Sequence, residues 1–598
     1  MNYVSFLFLL YVTVTCGAYF LYPVIFRRHR QYQWIILLAA SWGFYAICSG
    51  WYLALLLGTS LLIYLGALAL QKLAGEQKSA LKGRTESVKL TREEKKAIRQ
   101  KFTKRRRIVL WTTLLISFGI LAFFKYIPGL VSGLTQGRQT LSLLIPVGIS
   151  FYTFQASGYL IDVYNGNVQA ERNYLKVALF ISFFPQIIQG PIGFWDPVAG
   201  QLFEEHHLEW NRFKHGFELI LWGYLRKMVL ADRIVNDIYL VTDSYAQYSG
   251  SMIALAVLLY AIQLYADFAG GIDISRGIAE ILGIALPENF RQPYLATSIN
   301  DYWRRWHITL GVWMKKYIFY PLALTPLFSG AGKRLGKTSF GRTDFGRHAA
   351  KVLPASLSCI VVFLVVGIWH GAGWRYVAFG LWNGGLIFLS MMLEPLFPAW
   401  KKAVKRMLRP ESGCRTGFDH NLKCEEALSD AGAIGENSAA VKKVAQDENA
   451  AVANRKGKGI NWYRIFQILR TFLLIYIGYV FDVAQDFCSA MEMMIRMITH
   501  FQWNPIALYG ELCSTYTDFN NWNVMIILCM TALMIIVDHY HERHDHHLGG
   551  DGLRLRDYID RGSFWKEWIL VTLCVCAIVL LGIYGPGYDP VKFVYANF

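Results

Sequence analysis

Charged residues are scarce in this 598-residue chain: Asp, Glu, Lys and Arg make up 17% of it, against about 25% in an ordinary soluble domain. With 54% hydrophobic and 15% aromatic residues, that shortfall excludes intrinsic disorder of the chain as a whole and argues against a soluble enzyme. No C-x-x-C pair occurs among the ten cysteines. Most of them lie in apolar runs, where a thiol behaves as a small hydrophobe, so neither a disulfide framework nor a zinc site is indicated. A P-loop, a G-x-S-x-G elbow and a dinucleotide fingerprint are all missing. So is a pair of broken helices in matching halves, which many secondary transporters carry. Nor does a basic segment precede the first apolar run. That run extends from Tyr3 to Phe26 and its charges follow it, at Arg27-Arg28-His29-Arg30, the reverse of a cleaved signal peptide.

What the chain has instead is long apolar runs. Crossing a bilayer takes roughly 20 apolar residues, and about ten segments reach or approach that length. The expected fold is an all-α polytopic integral membrane protein with about 10–12 transmembrane helices plus re-entrant or interfacial ones. The net charge of +18, from 60 Lys+Arg against 42 Asp+Glu, falls mostly in the connectors 27–30, 72–107, 333–351 and 401–458, while a fifth polar connector, 541–566, balances its Lys and Arg with Asp and Glu. The second holds 14 Lys/Arg against four Glu. Counting crossings puts all five on one face, the cytoplasmic one by the positive-inside rule. Both termini are then extracytoplasmic, in a multi-pass protein of the cell (plasma or inner) membrane. The excess is an orientation signal; nucleic-acid binding lacks any motif.

This reading divides the chain into N-terminal transmembrane helices (1–71), a basic cytoplasmic loop (72–107) and a core (108–400). A cytoplasmic insertion (401–460) follows, then C-terminal helices and an extracytoplasmic tail (461–598). The insertion is rich in Ala, Glu, Asn and Lys with few large apolar residues, a composition that cannot build a packed core.

The core departs from the pattern. Between Ser150 and Trp382 the apolar runs are interrupted by Gly, Pro, Gln, Asn, Asp, Arg and His. Polar and helix-breaking residues persist at membrane depth where they are buried in protein or line a wet cavity. His370 lies at a junction of two runs, between Trp369 and Gly371. Gly371 and Gly373 would permit close approach, and Trp369 and Trp374 would form apolar walls. A neutral imidazole there can act as a general base, although a lone intramembrane histidine can equally be a hydrogen-bonded core residue. His307 stands in Trp303-Arg304-Arg305-Trp306-His307. Arg304 and Arg305, with Lys315 and Lys316, sit among Trp303, Trp306, Trp313 and Tyr317. That mixture fits an interfacial helix, or an anchor for the phosphates of coenzyme A or a phosphopantetheine arm. The cluster Asp538–His547 misses the H-E-x-x-H pattern and reads as a solvated turn rather than a metal site.

Six blocks in order resemble the membrane-bound O-acyltransferases, in their alginate O-acetylase and teichoic-acid D-alanyl transferase branch. They are P-V-G-I-S-F-Y-T-F-Q from Pro146 to Gln155, Phe183–Ile192, Gln263–Phe268, Pro287–Phe290, Trp303–His307 and Gly367–Gly371. The resemblance covers essentially the whole chain apart from the two cytoplasmic insertions. It implies a many-helix fold around a central tunnel, with His370 catalytic and His307 a second important position. It also implies an acyl thioester donor, either acetyl-CoA or an acyl-phosphopantetheine carrier protein, and no permanently bound cofactor. The acceptor would be a hydroxyl of an exported or cell-surface polysaccharide. Expected partners are membrane lipids, an extracytoplasmic acyltransferase that completes the transfer and, on the D-alanyl alternative, an acyl carrier protein. The aromatic ending Phe593–Phe598 favours the acetylating branch. Two places depart from the pattern: Asp482 follows Phe481 where relatives often carry Arg, and Ala269-Gly270-Gly271 replaces a Ser-Gly-Tyr type sequence. From a different class, a polymer exporter with proton-relaying histidines would share the membrane architecture.

One outcome follows from the insertion's composition. Deleting most of 401–458 is expected to leave acylation of the cell-surface polymer within about twofold of the full chain. Complete loss in a stably expressed deletion would show that the segment docks a donor or partner.

Overall fold

The computed structural model describes residues 3–82, 90–135, 145–398, 404, 462–516, 521–545, 554–562 and 564–584. Among them all regular structure is helical and no strand occurs. The insertion expected at 401–460, residue 404 aside, lies outside the described residues, as do the tail from 585 onward and residues 546–553.

Among the described residues, eight stretches are long and apolar enough to cross a membrane, so the chain is an all-α polytopic membrane protein. One of them, Arg30–Lys82, holds two helices, Trp34–Ser49 and Leu53–Lys82, separated at Gly50, whose φ is 57°. The ten to twelve expected from apolar runs exceeds the eight because much of the core is cut short. Helices such as Ile149–Asn165 and Trp210–Tyr224 carry too many polar residues or too few turns to count as apolar spans.

Burial follows the same division. In the Phe564–Leu581 helix none of the apolar window is buried, whereas in Gly250–Ile281 72% of it is. The helix carrying Asp267, Asp273 and Gln263 is therefore the central one, and its polar groups face protein rather than lipid. The connector 72–107 differs from the expected loop. The Leu53–Lys82 helix runs well into it, and Arg92–Leu134 begins in it as one helix of 43 residues. Thr91 and Glu94 start that helix with reciprocal side-chain to backbone hydrogen bonds of 2.8 and 3.2 Å. Such a capping box, followed by good helix formers, makes a helix without any apolar stripe.

The central packing depends on glycine. Trp210–Tyr224 crosses Gly250–Ile281 through Gly216 against Gly277 and Gly223 against Gly270. A Cβ on Gly223 would lie 2.6 Å from the Gly270 carbonyl oxygen. Just beyond this crossing, in the π-helical turn Leu225–Ala231, Arg226 and Lys227 enter the core. Arg226 bonds Asp273 at 3.0 Å and Asp538 at 3.3 Å; Lys227 bonds Asp267 at 2.6 Å and Asp232 at 3.2 Å. Breaking a buried pair of this kind costs about 3–5 kcal/mol.

Replacing Gly223 by Val should therefore push the helices apart and destabilise the fold by at least about 1–3 kcal/mol. A lowered thermal midpoint of the detergent-solubilised protein measures this, and an unchanged midpoint would contradict it.

Candidate active site

His370 is the last residue of the Asp344–His370 helix, and the final carbonyls of a helix have no partner within it. Two are met by the Arg92–Leu134 helix. The Lys125 ammonium donates to the carbonyl of Trp369, and the Tyr126 hydroxyl donates to that of Ile368 at 2.5 Å. A cation at a helix C-terminus also suits the helix dipole. The chain then turns at Gly371, where a Cβ would fall 2.1 Å from the Tyr376 ring. That close approach is the one expected of Gly371; Gly373 has only ordinary contacts beyond 3.5 Å. Trp369 is buried as a wall, but Trp374 is 77% exposed, because it opens the next helix on its outer face. Phe379 takes the expected place, its ring centroid 5.3 Å from that of His370.

His307 sits between the short helices Ile299–Arg305 and Ile308–Met314, with φ at 45°. Few residues other than glycine adopt that region, and doing so costs about 1–3 kcal/mol. Asn289 holds it there. Its carbonyl accepts from the Ile308 N–H at 2.9 Å, and its side-chain oxygen accepts from the Thr309 N–H at 3.0 Å and hydroxyl at 2.9 Å. The same oxygen lies 3.2 Å from His307 Nδ1. Since that oxygen can only accept, Nδ1 carries the proton of a neutral ring, and Nε2 bears the lone pair. The loop bearing Asn289 is itself tethered through Glu288, which meets Arg554 at 2.6 Å, Arg291 at 3.5 Å and Arg276 at 3.7 Å. Burial would raise the Glu288 carboxyl, but these guanidiniums win and hold it below the usual range.

The two histidines line one cavity, together with Tyr302, Tyr479 and Asp482. It measures about 20 Å³, room for a single water, so a substrate must part the aromatic walls. The Trp369 ring packs beside both imidazoles, its centroid 6.2 Å from that of His307 and 5.1 Å from that of His370. Both histidines are almost fully buried. The site thus presents two imidazoles to one enclosed space, an arrangement suited to moving a proton during group transfer.

Residues 171–339 match the model of the membrane-bound O-acyltransferase family. That segment of the chain is similar to the membrane-bound O-acyltransferases. The match contains His307 and ends before His370. Among similar proteins, the probable alginate O-acetylase AlgI of Pseudomonas syringae pv. tomato is 31% identical over 281 residues, 45% of this chain and 49% of that protein. The peptidoglycan O-acetyltransferase of Helicobacter pylori is 30% identical over 381 residues, covering 59% and 62%. A teichoic acid D-alanyltransferase of Streptococcus thermophilus is 27% identical over 278 residues, covering 45% and 63%. The chain spans from about half to under two thirds of the length of these relatives.

Within the matched segment, the four basic residues expected at donor phosphates do not share one environment. Arg305 is buried against Asp301 at 2.8 Å and Glu542 at 2.5 Å, and Lys316 bonds Asp162 at 2.8 Å. The charge of Arg305 is committed inside the fold, and that of Lys316 is paired at a half-exposed position. Arg304 and Lys315 are exposed. The acidic members of the 538–547 cluster are likewise engaged in ion pairs: Asp538 with Arg226, Glu542 with Arg305 and Arg464, Asp545 with Arg291. A carboxylate trio within 4.8 Å, Glu218, Asp560 and Glu567, has Lys214 at 2.6 Å from Asp560 and 3.3 Å from Glu567.

Sequence reading picked out both histidines and the block containing Asn289, but not Asn289 as the group that orients His307. It also passed over Lys125 and Tyr126, although a lysine late in an apolar run is itself a signal. Asn289→Ala removes the acceptor for three donors at once. It is expected to lower the acyl-transfer rate about tenfold or more at normal protein level in the membrane. An unaltered rate would show that His307 needs no such support.

Proposed function

We propose that this protein transfers an acyl group, acetyl in the first instance, from a cytosolic thioester to hydroxyls of an exported or cell-surface polysaccharide. The observation that carries the reading is the pairing of His307 and His370 at one enclosed cavity in a chain with a segment similar to the O-acyltransferases. Acetyl is favoured over D-alanyl because the relatives at 30–31% identity are named as O-acetylating proteins, and those named for D-alanyl transfer stand at 27% or below. Alginate and peptidoglycan, named for those relatives, support a carbohydrate hydroxyl as the acceptor.

In this mechanism the acceptor O–H gives its proton to His370 while its oxygen attacks the thioester carbonyl carbon. The C–S bond then breaks, and the imidazolium returns the proton to the departing thiolate. Ester and thiol form, with no net proton change. A thioester carbonyl is already electrophilic, so alignment and proton removal supply most of what is needed. Two roles are open to His307, positioning that carbonyl or polarising it. Its tautomer favours positioning: with Nδ1 donating to Asn289, a neutral His307 offers an acceptor, which can hold a substrate N–H or O–H but cannot donate to a carbonyl oxygen. Arg304 and Lys315 remain as donor-phosphate contacts on this reading. The donor enters from the cytoplasmic face, and an extracytoplasmic acyltransferase completes the transfer to the polysaccharide.

His370→Ala is the deciding variant. Base-released acetate per unit of surface polymer is expected to fall by at least about 10²-fold, with polymer export unchanged. Loss of export with normal acetate per unit of polymer would instead establish an exporter.

A further inference from the structure

We infer that Asp482 is the positioning residue of His370, its carboxylate holding the imidazole by the Nδ1 edge so that Nε2 faces the acceptor hydroxyl. The inference rests on the acyltransferase reading above. Asp482 lies in the last turn of the Trp462–Val483 helix, buried, with Oδ1 3.9 Å from His370 Nδ1. Its other oxygen accepts a 2.7 Å hydrogen bond from the Tyr260 hydroxyl, which fixes the carboxylate plane and directs Oδ1 to the histidine. The backbone carbonyl of Asp482 accepts from Arg375 at 3.4 Å, tying the same turn to the segment just after His370. One turn earlier, Tyr479 meets the hydroxyl of Tyr302 at 2.7 Å, on the short helix that leads to His307. A single helix end therefore touches both histidine-bearing segments.

Burying a carboxylate is costly unless it is bonded or paired, and the Tyr260 hydroxyl bonds one of its two oxygens. The separation of 3.9 Å is a side-chain adjustment beyond hydrogen-bond length, and catalytic contacts commonly tighten only with substrate in place. When the acceptor proton reaches Nε2, His370 becomes a cation in a space that holds a single water. Asp482 is the anion beside it, and by accepting from Nδ1–H it also selects the tautomer whose Nε2 can take that proton.

The test uses full-length variants in inside-out membrane vesicles of the producing cell, with radiolabelled acetyl-CoA as the probe donor and base-labile label in polymer as the readout. Asp482→Asn preserves shape and can still accept from Tyr260, so the fold survives. Its kcat is expected to fall about 10²-fold, with KM for acetyl-CoA within about twofold of wild type. Asp482→Glu restores the charge and is expected to recover about tenfold over the Asn variant. Tyr260→Phe, which keeps both charges, should cost less than about tenfold. A wild-type rate for Asp482→Asn overturns the inference, as does a Glu variant no better than Asn. A raised KM at unchanged kcat also overturns it, by placing Asp482 against substrate. Wild-type vesicles that incorporate no label while retaining polymer overturn the transferase reading itself, and this role with it.

Discussion

The constraint on which the rest depends is the price of an unsatisfied polar group where water is absent. At membrane depth a buried charge or amide must find a partner within the protein. The central helix Gly250–Ile281 carries two aspartates that do so, and it is these that draw in Arg226 and Lys227 from the π-helical turn. The glycine crossing brings the backbones close enough for those contacts, and the outer apolar helices shield them. With that frame in place, His307 and His370 can be held at fixed positions without being exposed to lipid.

The two histidines are fixed by opposite means. His370 ends a long spanning helix, and its place is set by hydrogen bonds to the carbonyls just before it. His307 interrupts two short helices in a left-handed backbone conformation, and its place is set by one asparagine that gathers three donors. One is anchored through the regular end of an element and the other through a strained break. The first couples the site to a rigid span; the second couples it to the arginine-bound loop around Glu288.

Much of this was legible in the sequence, and the reasons for the rest are physical. Apolar runs revealed the membrane class, because lipid imposes a length and composition that no other environment does. His307 and His370 stood out because histidine is expensive at that depth. Their partners did not, since Asn289 is 18 residues from His307 and Lys125 is 244 residues from Trp369, and only the fold brings them together. The stretch 72–107 was read as a loop because it has no apolar stripe; its helicity comes from capping and propensity, which hydrophobic patterning does not register. Trp374 was placed on the site wall by proximity in sequence, yet the turn at Gly371 sends it outward.

The Arg92–Leu134 helix has a mechanical consequence. From its capped start to Lys125 and Tyr126 it runs unbroken for about 50 Å, with its basic turns at one end and the carbonyls beside His370 at the other. Such a rod acts as a lever: a tilt imposed where the arginines and lysines lie is delivered, one hydrogen bond away, to the backbone that carries the imidazole.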